Sequence, residues 1–437
     1  MNRIRIGAIG TGGFGLFALQ QFLQVEGAEL VAMAGTHREA ALAVARRFGL
    51  VENMEVETLI KLDQVDLVYI ATPPFLHFAQ VRAALEAGKH VICEKPLALS
   101  LAQVDEVLQL ARTRDLLCVA NLMQRYNPLF EAVRQLIDSN VIGECLHGWF
   151  DNAAGDEGLS ADHWFWDRAK SGGIFIEHGV HFFDLFEGWL GKGQVVSSQH
   201  SLRPGSGLEE QVQCVVRYGN GALINFYHGF TQPARLERQE FRLLFERGEL
   251  TLEEWVPTRL RLRAVVDEEQ SRRLMQIFPG ARLDVLEAYS GAKRLARGRH
   301  KDFDTYQKID LHGGLDVEKM RRYCELLRAL FADQVAWIAD RSHQRLITEE
   351  NGRNSLAMAC AATELPADLG STRPIPAGYG RGGRLQSRRS RHRRGCRAAD
   401  QGGRDPAADP AGSCRTAPLG PGGRGHRYRL AARAGAS

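Results

Sequence analysis

Six residues near the start constrain this chain more than any others: Gly10-Thr11-Gly12-Gly13-Phe14-Gly15. An apolar run at 4–9 precedes them, helical spacing of Leu16, Leu19 and Leu23 follows, and a second apolar run at 29–34 closes the unit. Strand, glycine turn, helix and strand in that order form the setting in which such a loop receives a dinucleotide. The glycines permit the tight turn, let the backbone approach a pyrophosphate, and let the helix press on the strand. The helix N-terminus adds free N–H groups and a partial positive charge for the phosphates. All six residues are therefore candidate cofactor contacts; a purely structural glycine turn is the alternative.

An acidic residue that holds an NAD ribose is expected about 20 residues further on. Here the chain reads Gly35-Thr36-His37-Arg38. Nothing repels a 2′-phosphate, and Thr36, His37 and Arg38 can all bind one. This favours NADP(H) over NAD(H), unless His37 and Arg38 merely begin the next helix in solvent.

The alternation continues with a helix over 38–48, a buried strand at 66–71, the turn Thr72-Pro73-Pro74 and a helix over 76–87 stopped by Gly88. A strand at 90–93, a helix capped by Ser100 and a strand at 116–120 follow. Strands alternating with helices of this length predict a doubly wound parallel sheet. Cys93-Glu94-Lys95-Pro96 then lies at a strand's carboxyl end, on the sheet edge that carries the glycine turn. The nicotinamide end of a cofactor would lie there, and this makes Glu94 and Lys95 candidates.

From Arg125 the pattern changes. Stretches at 146–151, 195–202, 211–218, 222–227, 241–245, 250–255 and 259–265 alternate with period two, and Gly219-Asn220-Gly221 reads as a hairpin turn. A largely antiparallel sheet is expected, with 267–307 as helices and loops over one edge and helices at 316–340 and 348–364. The expected organisation is a nucleotide-binding domain over 1–124, a substrate and oligomerisation domain over 125–365, and a tail over 366–437.

In the second half, Gly172-Gly173 opens a segment in which Glu177, His181 and Asp184 fall at i, i+4 and i+7 of a helix starting near Ile174. Phe175, Phe182, Phe183 and Phe186 flank this polar stripe, so it reads as a site, with a solvent-facing stripe as the alternative. Just upstream, Trp164 and Trp166 sit among Asp, His and Lys, a mixture suited to a polyol; core packing of at least one of them is an equal alternative. Arg125 and Asn127 could line the same cleft. His178 is either a substrate ligand or part of the opposite packing surface. No residues have metal-ligand spacing.

With these motifs in place, the sequence resembles the Gfo/Idh/MocA oxidoreductases over about residues 3–365. The resemblance rests on Gly10–Gly15, Ala71-Thr72-Pro73-Pro74 with His77, Ala87-Gly88-Lys89-His90-Val91 running into Glu94-Lys95-Pro96, and Gly172-Gly173 with Gly179, His181 and Asp184. It implies a Rossmann domain joined to an α/β domain with an open, mainly antiparallel sheet, substrate between them, and a homo-oligomer. It also implies that Thr72, Pro73 and His77 join the cofactor set, that Lys95 is the catalytic lysine, and that His181 is the acid/base. Glu177 stands where the family usually has aspartate, and His178 where a small or apolar residue is common. Either Lys95 or His181 could carry the proton.

The implied activity is NAD(P)-dependent hydride transfer at a hydroxyl or carbonyl of a sugar, cyclitol or related polar molecule. A non-catalytic nucleotide- and sugar-binding regulator and a redox-assisted lyase or glycosidase are the alternatives. Eight scattered cysteines without paired spacing suit reduced thiols. No run reaches the roughly 18 apolar residues of a membrane span, and no signal-peptide pattern opens the chain; a cytoplasmic protein is expected. Residues 366–437 hold fifteen Arg against four Asp and no Lys or Glu, which gives +11. The net charge of +4 leaves −7 for the rest, so nucleic acid is not an expected partner of the folded part. The tail is expected to be disordered and reads as a GC-rich gene translated out of frame; an Arg/Gly nucleic-acid-binding tail is its functional alternative.

Overall fold

The glycine turn follows β1 (Ile4–Ile9) and leads into α1 (Gly13–Phe22), and β2 (Ala28–Ala34) returns parallel to β1. In the computed structural model the described residues are 3–364 except 36–37, 51–53, 156–157, 204, 299–300 and 315–316. Thr36, His37 and the tail therefore lie outside the described residues, as does the side chain of Arg38. The half continues through α2 (Arg38–Arg47), α3 (Val56–Ile60), β3 (Leu67–Ile70), α4 (Pro74–Glu86), β4 (His90–Cys93), α5 (Leu101–Thr113) and β5 (Cys118–Ala120). The strands form an all-parallel sheet in the order β2-β1-β3-β4-β5. The order reverses between β1 and β3, and a crevice opens beyond the strand ends at such a switch point.

The second half begins with α6 (Pro128–Ser139), β6 (Cys145–Ala153), α7 (Arg168–Ser171) and α8 (Val180–Leu190). It proceeds through β7 (Gly193–Leu202), β8 (Glu209–Tyr218), β9 (Leu223–Gly229), β10 (Arg238–Phe245), β11 (Gly248–Glu253) and β12 (Arg259–Val266). Next come α9 (Glu268–Ile277), β13 (Arg282–Ala288), the small ladder β14 (Leu295–Arg297) and β15 (Asp302–Asp304), and β16 (Gln307–Gly314). Helices α10 (Lys319–Ala339) and α11 (Glu349–Glu364) complete the described chain. Nine strands form one sheet, β13-β16-β12-β11-β10-β6-β9-β8-β7, antiparallel except where β6 meets β9. The stretch 267–307, expected as helices and loops, includes the edge strand β13 and leads into β16. Its exposure hides the pattern, because an edge strand such as β13, largely solvent-facing, carries no apolar alternation to read.

Period-two burial sets the faces of the large sheet. On β12, Leu260, Leu262, Ala264 and Val266 point inward while Arg259, Arg261 and Arg263 point out. The inner face receives α8, where Phe182 stacks on Phe150 at 3.7 Å and Phe183 and Phe186 pack against Phe226. Each such ring contributes about 1.5–3 kcal/mol on full burial, so α8 is held firmly. The outer face is a lattice of charge pairs, among them Arg242–Glu249 at 2.6 Å and Arg261–Asp310.

Helix α10, though late in sequence, packs on the nucleotide-binding half: Phe331 stacks on Phe22 of α1 at 4.8 Å. Helix α11 reaches from β5 and α5 to α8 and β7, and so ties the two sheets together. Among the described residues no helix is long and apolar enough to cross a membrane.

The glycine turn has a local test. A Cβ on Gly15 would lie 2.5 Å from that of Ala71, at the end of β3. Gly15→Ala is expected to cost about 1–3 kcal/mol by overpacking, more than the up to about 1 kcal/mol that alanine contributes to a helix. Adding Ala71→Gly removes the facing methyl and should recover most of the loss in urea unfolding midpoints. A Gly15→Ala chain as stable as the parent would refute the close approach.

Candidate active site

Gly10 adopts φ +108°, and a Cβ there would strike the Ala71 carbonyl oxygen at 2.5 Å. Only glycine serves where the turns after β1 and β3 press this closely. Gly12 differs: nothing lies within 4 Å of its Cβ position, and it caps α1 with no side-chain hydrogen bond. The first turn of α1 holds no acidic residue, so no side-chain charge there competes with an anion for its N–H groups. This cradle fits a pyrophosphate. Thr11 packs on Gly35, whose Cβ position is 2.7 Å from the threonine hydroxyl, and the Phe14 ring packs with Phe17 and Tyr323. Phe14 therefore has only its backbone to offer a cofactor.

Lys95 leaves the end of β4 on the same edge. Its Nζ donates to Glu177 Oε1 at 2.7 Å and to the Glu177 main-chain oxygen at 2.6 Å. The two side chains are 17% and 12% exposed, so the pair is shielded yet in contact with water. Glu177 belongs to a π-helical turn, Phe175–Gly179, that runs into α8. The regular helix expected from Ile174 is thus interrupted at the site, as π turns often are. Gly172 and Gly173, at φ +82° and +98°, make the left-handed exit from α7 that leads into it.

Glu177, His181 and Asp184, expected as one stripe, each have their own partner. His181 is 5% exposed and meets the Trp255 ring edge-on at 5.3 Å. Its Nδ1 is sealed without a hydrogen-bond partner, whereas Nε2 is not sealed and has no hydrogen-bond partner among the described residues. Burial, then Lys95 and His178, hold its pKa well below the ordinary histidine value. Asp184 is 2% exposed and accepts from Arg125 Nε at 2.9 Å, Arg125 Nη2 at 3.1 Å and Asn351 at 2.8 Å. Expected as separate substrate ligands, Arg125 and Asp184 instead satisfy each other.

The remaining candidates mostly have partners inside the protein. Glu94 turns into the sheet, where its Oε1 accepts from Tyr69 at 2.6 Å and Asn121 at 2.9 Å. His77 is 1% exposed, and its ring nitrogens lie 2.7 Å from the carbonyl oxygens of Pro96 and Thr72. It ties the turn after β3 to the turn after Lys95 rather than facing a cofactor, while the Thr72 hydroxyl is held by Gln80 at 2.6 Å. Trp166 packs in the core against Phe165 and Phe230, with Arg203 over its ring. Trp164 stays partly exposed, its ring 5.1 Å from that of His163. Asn127, 0% exposed, caps α6 and anchors the Pro257 carbonyl at 2.9 Å.

Sequence reasoning missed Trp255 and His228. Trp255 follows Glu254, which has φ +72°, and its carbonyl is held by Gln124 at 2.7 Å. That swings the ring against His181, Phe182 and Tyr323. Nothing in sequence distinguishes it from a strand-end aromatic. His228 had a signal: it follows Ile224 and Phe226 at the inward positions of β9, where a polar side chain is out of pattern.

Burial lifts the Glu94 carboxyl to a pKa of about 7. A carboxyl protonated in the fold but not in the unfolded chain stabilises at low pH, and that stabilisation fades as pH rises from about 4.5 to about 7. Glu94→Gln keeps an acceptor for Tyr69 and Asn121 without the titration. The variant should therefore gain on the parent between pH about 5 and about 8 in urea midpoints; an equal difference at both would remove Glu94 as the source.

Three comparisons with known proteins bear on this site. Residues 4–122 match the family model described as an oxidoreductase family with an NAD-binding Rossmann fold, and residues 130–251 match the Gfo/Idh/MocA C-terminal domain. The chain is 31% identical over 217 residues to a 1,5-anhydro-D-fructose reductase of Ensifer adhaerens, covering 48% of this chain and 64% of that protein. It is 35% identical over 166 residues to an inositol 2-dehydrogenase of Rubrobacter xylanophilus, covering 37% and 48%. The chain thus spans less than two thirds of the length of these two relatives. Among solved structures, a 3-ketoreductase from Actinomadura kijaniata in complex with TDP-benzene and NADP superposes with a TM-score of 0.62 at 20% identity, covering 83% of this chain and 98% of that one. Two family models in the expected order, over a parallel nucleotide-binding sheet and an open antiparallel one, show that the chain belongs to the Gfo/Idh/MocA oxidoreductase family.

Proposed function

We propose that this chain is an NAD(P)-dependent oxidoreductase that moves hydride between a nicotinamide cofactor and a CH–OH carbon of a sugar- or cyclitol-like substrate. The observation that carries this reading is the Lys95–Glu177 pair, 2.7 Å apart, on the sheet edge that holds the glycine cradle. Relatives named as a sugar reductase and an inositol dehydrogenase support the substrate class. The charged outer face of the large sheet and the family resemblance support a homo-oligomer.

Gly10–Gly15 would hold the cofactor's pyrophosphate, and the cofactor would supply or accept the hydride. The chain's own work is at the substrate oxygen. In reduction, the Lys95 ammonium donates a proton to the oxygen as negative charge develops, and it is recharged from water beside the partly exposed Glu177. Oxidation reverses the transfer. His181 does a different job. A base at Nε2 would need its proton on Nδ1, sealed with no acceptor, and an imidazolium would bury that N–H and a charge together. Neutral His181 with its proton on Nε2 is a hydrogen-bond donor to the reacting oxygen.

Purified protein assayed by nicotinamide absorbance against sugars, cyclitols and their keto forms tests the reading. Lys95→Met should lower kcat by about 10²–10⁴-fold, and His181→Ala by less than Lys95→Met, about 10²-fold, the lower end of the cost of one such donor. Equal losses would return the proton to His181. No turnover with any compound would refute the activity.

NADP(H) is the proposed preference. Thr36, His37 and Arg38 follow β2 with no carboxylate, and Gly35 is pressed against Thr11 on the cradle side. Arg38→Ala is expected to raise KM for NADPH about tenfold or more, by loss of a charge-assisted contact, and to leave KM for NADH little changed. A parent enzyme that prefers NADH would overturn the assignment.

A further inference from the structure

We infer that His228 fixes His178 as a one-way hydrogen-bond donor into the cleft, so that His178 selects substrates with a bare oxygen acceptor, a carbonyl or carboxylate, flanking the reacting carbon. The substrate half of this rests on the proposed oxidoreductase reading; the tautomer half does not.

The geometry begins with two imidazoles whose Nδ1 atoms lie 3.1 Å apart. One proton sits between them, on one ring or the other. His228 is 0% exposed in a shell of Phe150, Phe175 and Phe182, and its Nε2 is sealed without a partner. If His178 donates, neutral His228 must carry its own proton on Nε2, an N–H orphaned among phenyl rings. If His228 donates, its Nε2 is only a bare lone pair. Buried orphan N–H groups are the rarer and costlier defect. The second arrangement therefore prevails, and it leaves the His178 proton on Nε2. That nitrogen is not sealed and has no protein partner among the described residues. Charging either ring is opposed by burial, with Lys95 adding to the effect at His178.

His178 sits beside Glu177 on the π turn, its ring 6.5 Å from that of Trp255. Lys95, His181 and His178 thus all present donors, while the Glu177 carboxylate is already engaged by Lys95. A cleft with three donors directed at it matches oxygen acceptors on the substrate. His228 reaches no cleft atom itself and acts as a positioning residue.

The full chain labelled with ¹⁵N-histidine, its signals assigned with His178→Gln and His228→Asn, reads the tautomers directly in long-range ¹H–¹⁵N spectra. The expected result is Nε2–H on His178 and Nδ1–H on His228; Nδ1–H on His178 overturns the inference. In His228→Leu the His178 signal should become a mixture of tautomers. His228→Asn, whose amide can still donate to His178 Nδ1, should keep the parent form. Kinetics with aldonates, uronates and keto sugars supply the second readout. His228→Leu should raise KM about tenfold, the value of one hydrogen bond, with kcat within about threefold, and His228→Asn should restore KM. Equal loss in both variants would mark His228 as packing alone. If no compound turns over, the oxidoreductase reading fails and the substrate half falls with it, while the spectra still decide the dyad.

Discussion

The contact between Lys95 and Glu177 is the constraint on which the site depends. It joins residues 82 apart in sequence, one at the end of a parallel strand and one in a π turn of the other half. Neither end is free to adjust. His77 clamps the turn that follows Lys95 to the turn that follows β3, and that turn is pressed against Gly10. On the other side, α8 is packed on the large sheet through Phe182, Phe183 and Phe186. Two rigid platforms therefore meet at a lysine and a glutamate. In the Arg125–Asp184 pair, almost two turns further along the same element, the carboxylate is 3% exposed against 12% for Glu177, and it is satisfied by Arg125 and Asn351. Removing one member of such a pair leaves an uncompensated charge, so the pair locks the segment after β5 to α8 while the Lys95 pair stays accessible.

Much of this was legible in the sequence, for identifiable reasons. The glycine loop, the strand–helix alternation and the strand-end lysine are local patterns whose physics is complete within a few residues. The hairpin at Gly219-Asn220-Gly221 is another: Gly221 has φ +88°, and the Asn220 side chain accepts from the Ala222 N–H. What failed was the assignment of charged and aromatic residues whose partners lie far away. Glu94 adjoins Lys95 but faces Tyr69, and Trp166 lies two residues from Trp164 but faces Phe230. Adjacent residues on an extended or irregular segment point in different directions, so proximity in sequence says little about which one reaches a cleft. Trp255 was hidden because its placement depends on the left-handed backbone at Glu254, a conformation that non-glycine residues seldom announce.

Glutamate at 177 places its carboxylate on the lysine and not on the histidine. The family resemblance implies a shorter aspartate at this position, four residues before the histidine. Here the carboxylate is engaged by Lys95 at 2.7 Å, and the lysine also holds the main-chain oxygen of the same residue. His181 is left with a sealed, unpartnered Nδ1. A histidine acts as a base when its second nitrogen has somewhere to place a proton, and a carboxylate there both orients the ring and stabilises its charge. Without that partner, the ring retains its hydrogen-bonding value and loses its capacity to carry charge. The same reasoning applies to His178, whose partner is another imidazole instead of a carboxylate. In the proposed mechanism both histidines are therefore neutral donors, and the mobile proton belongs to the ammonium that has a carboxylate beside it.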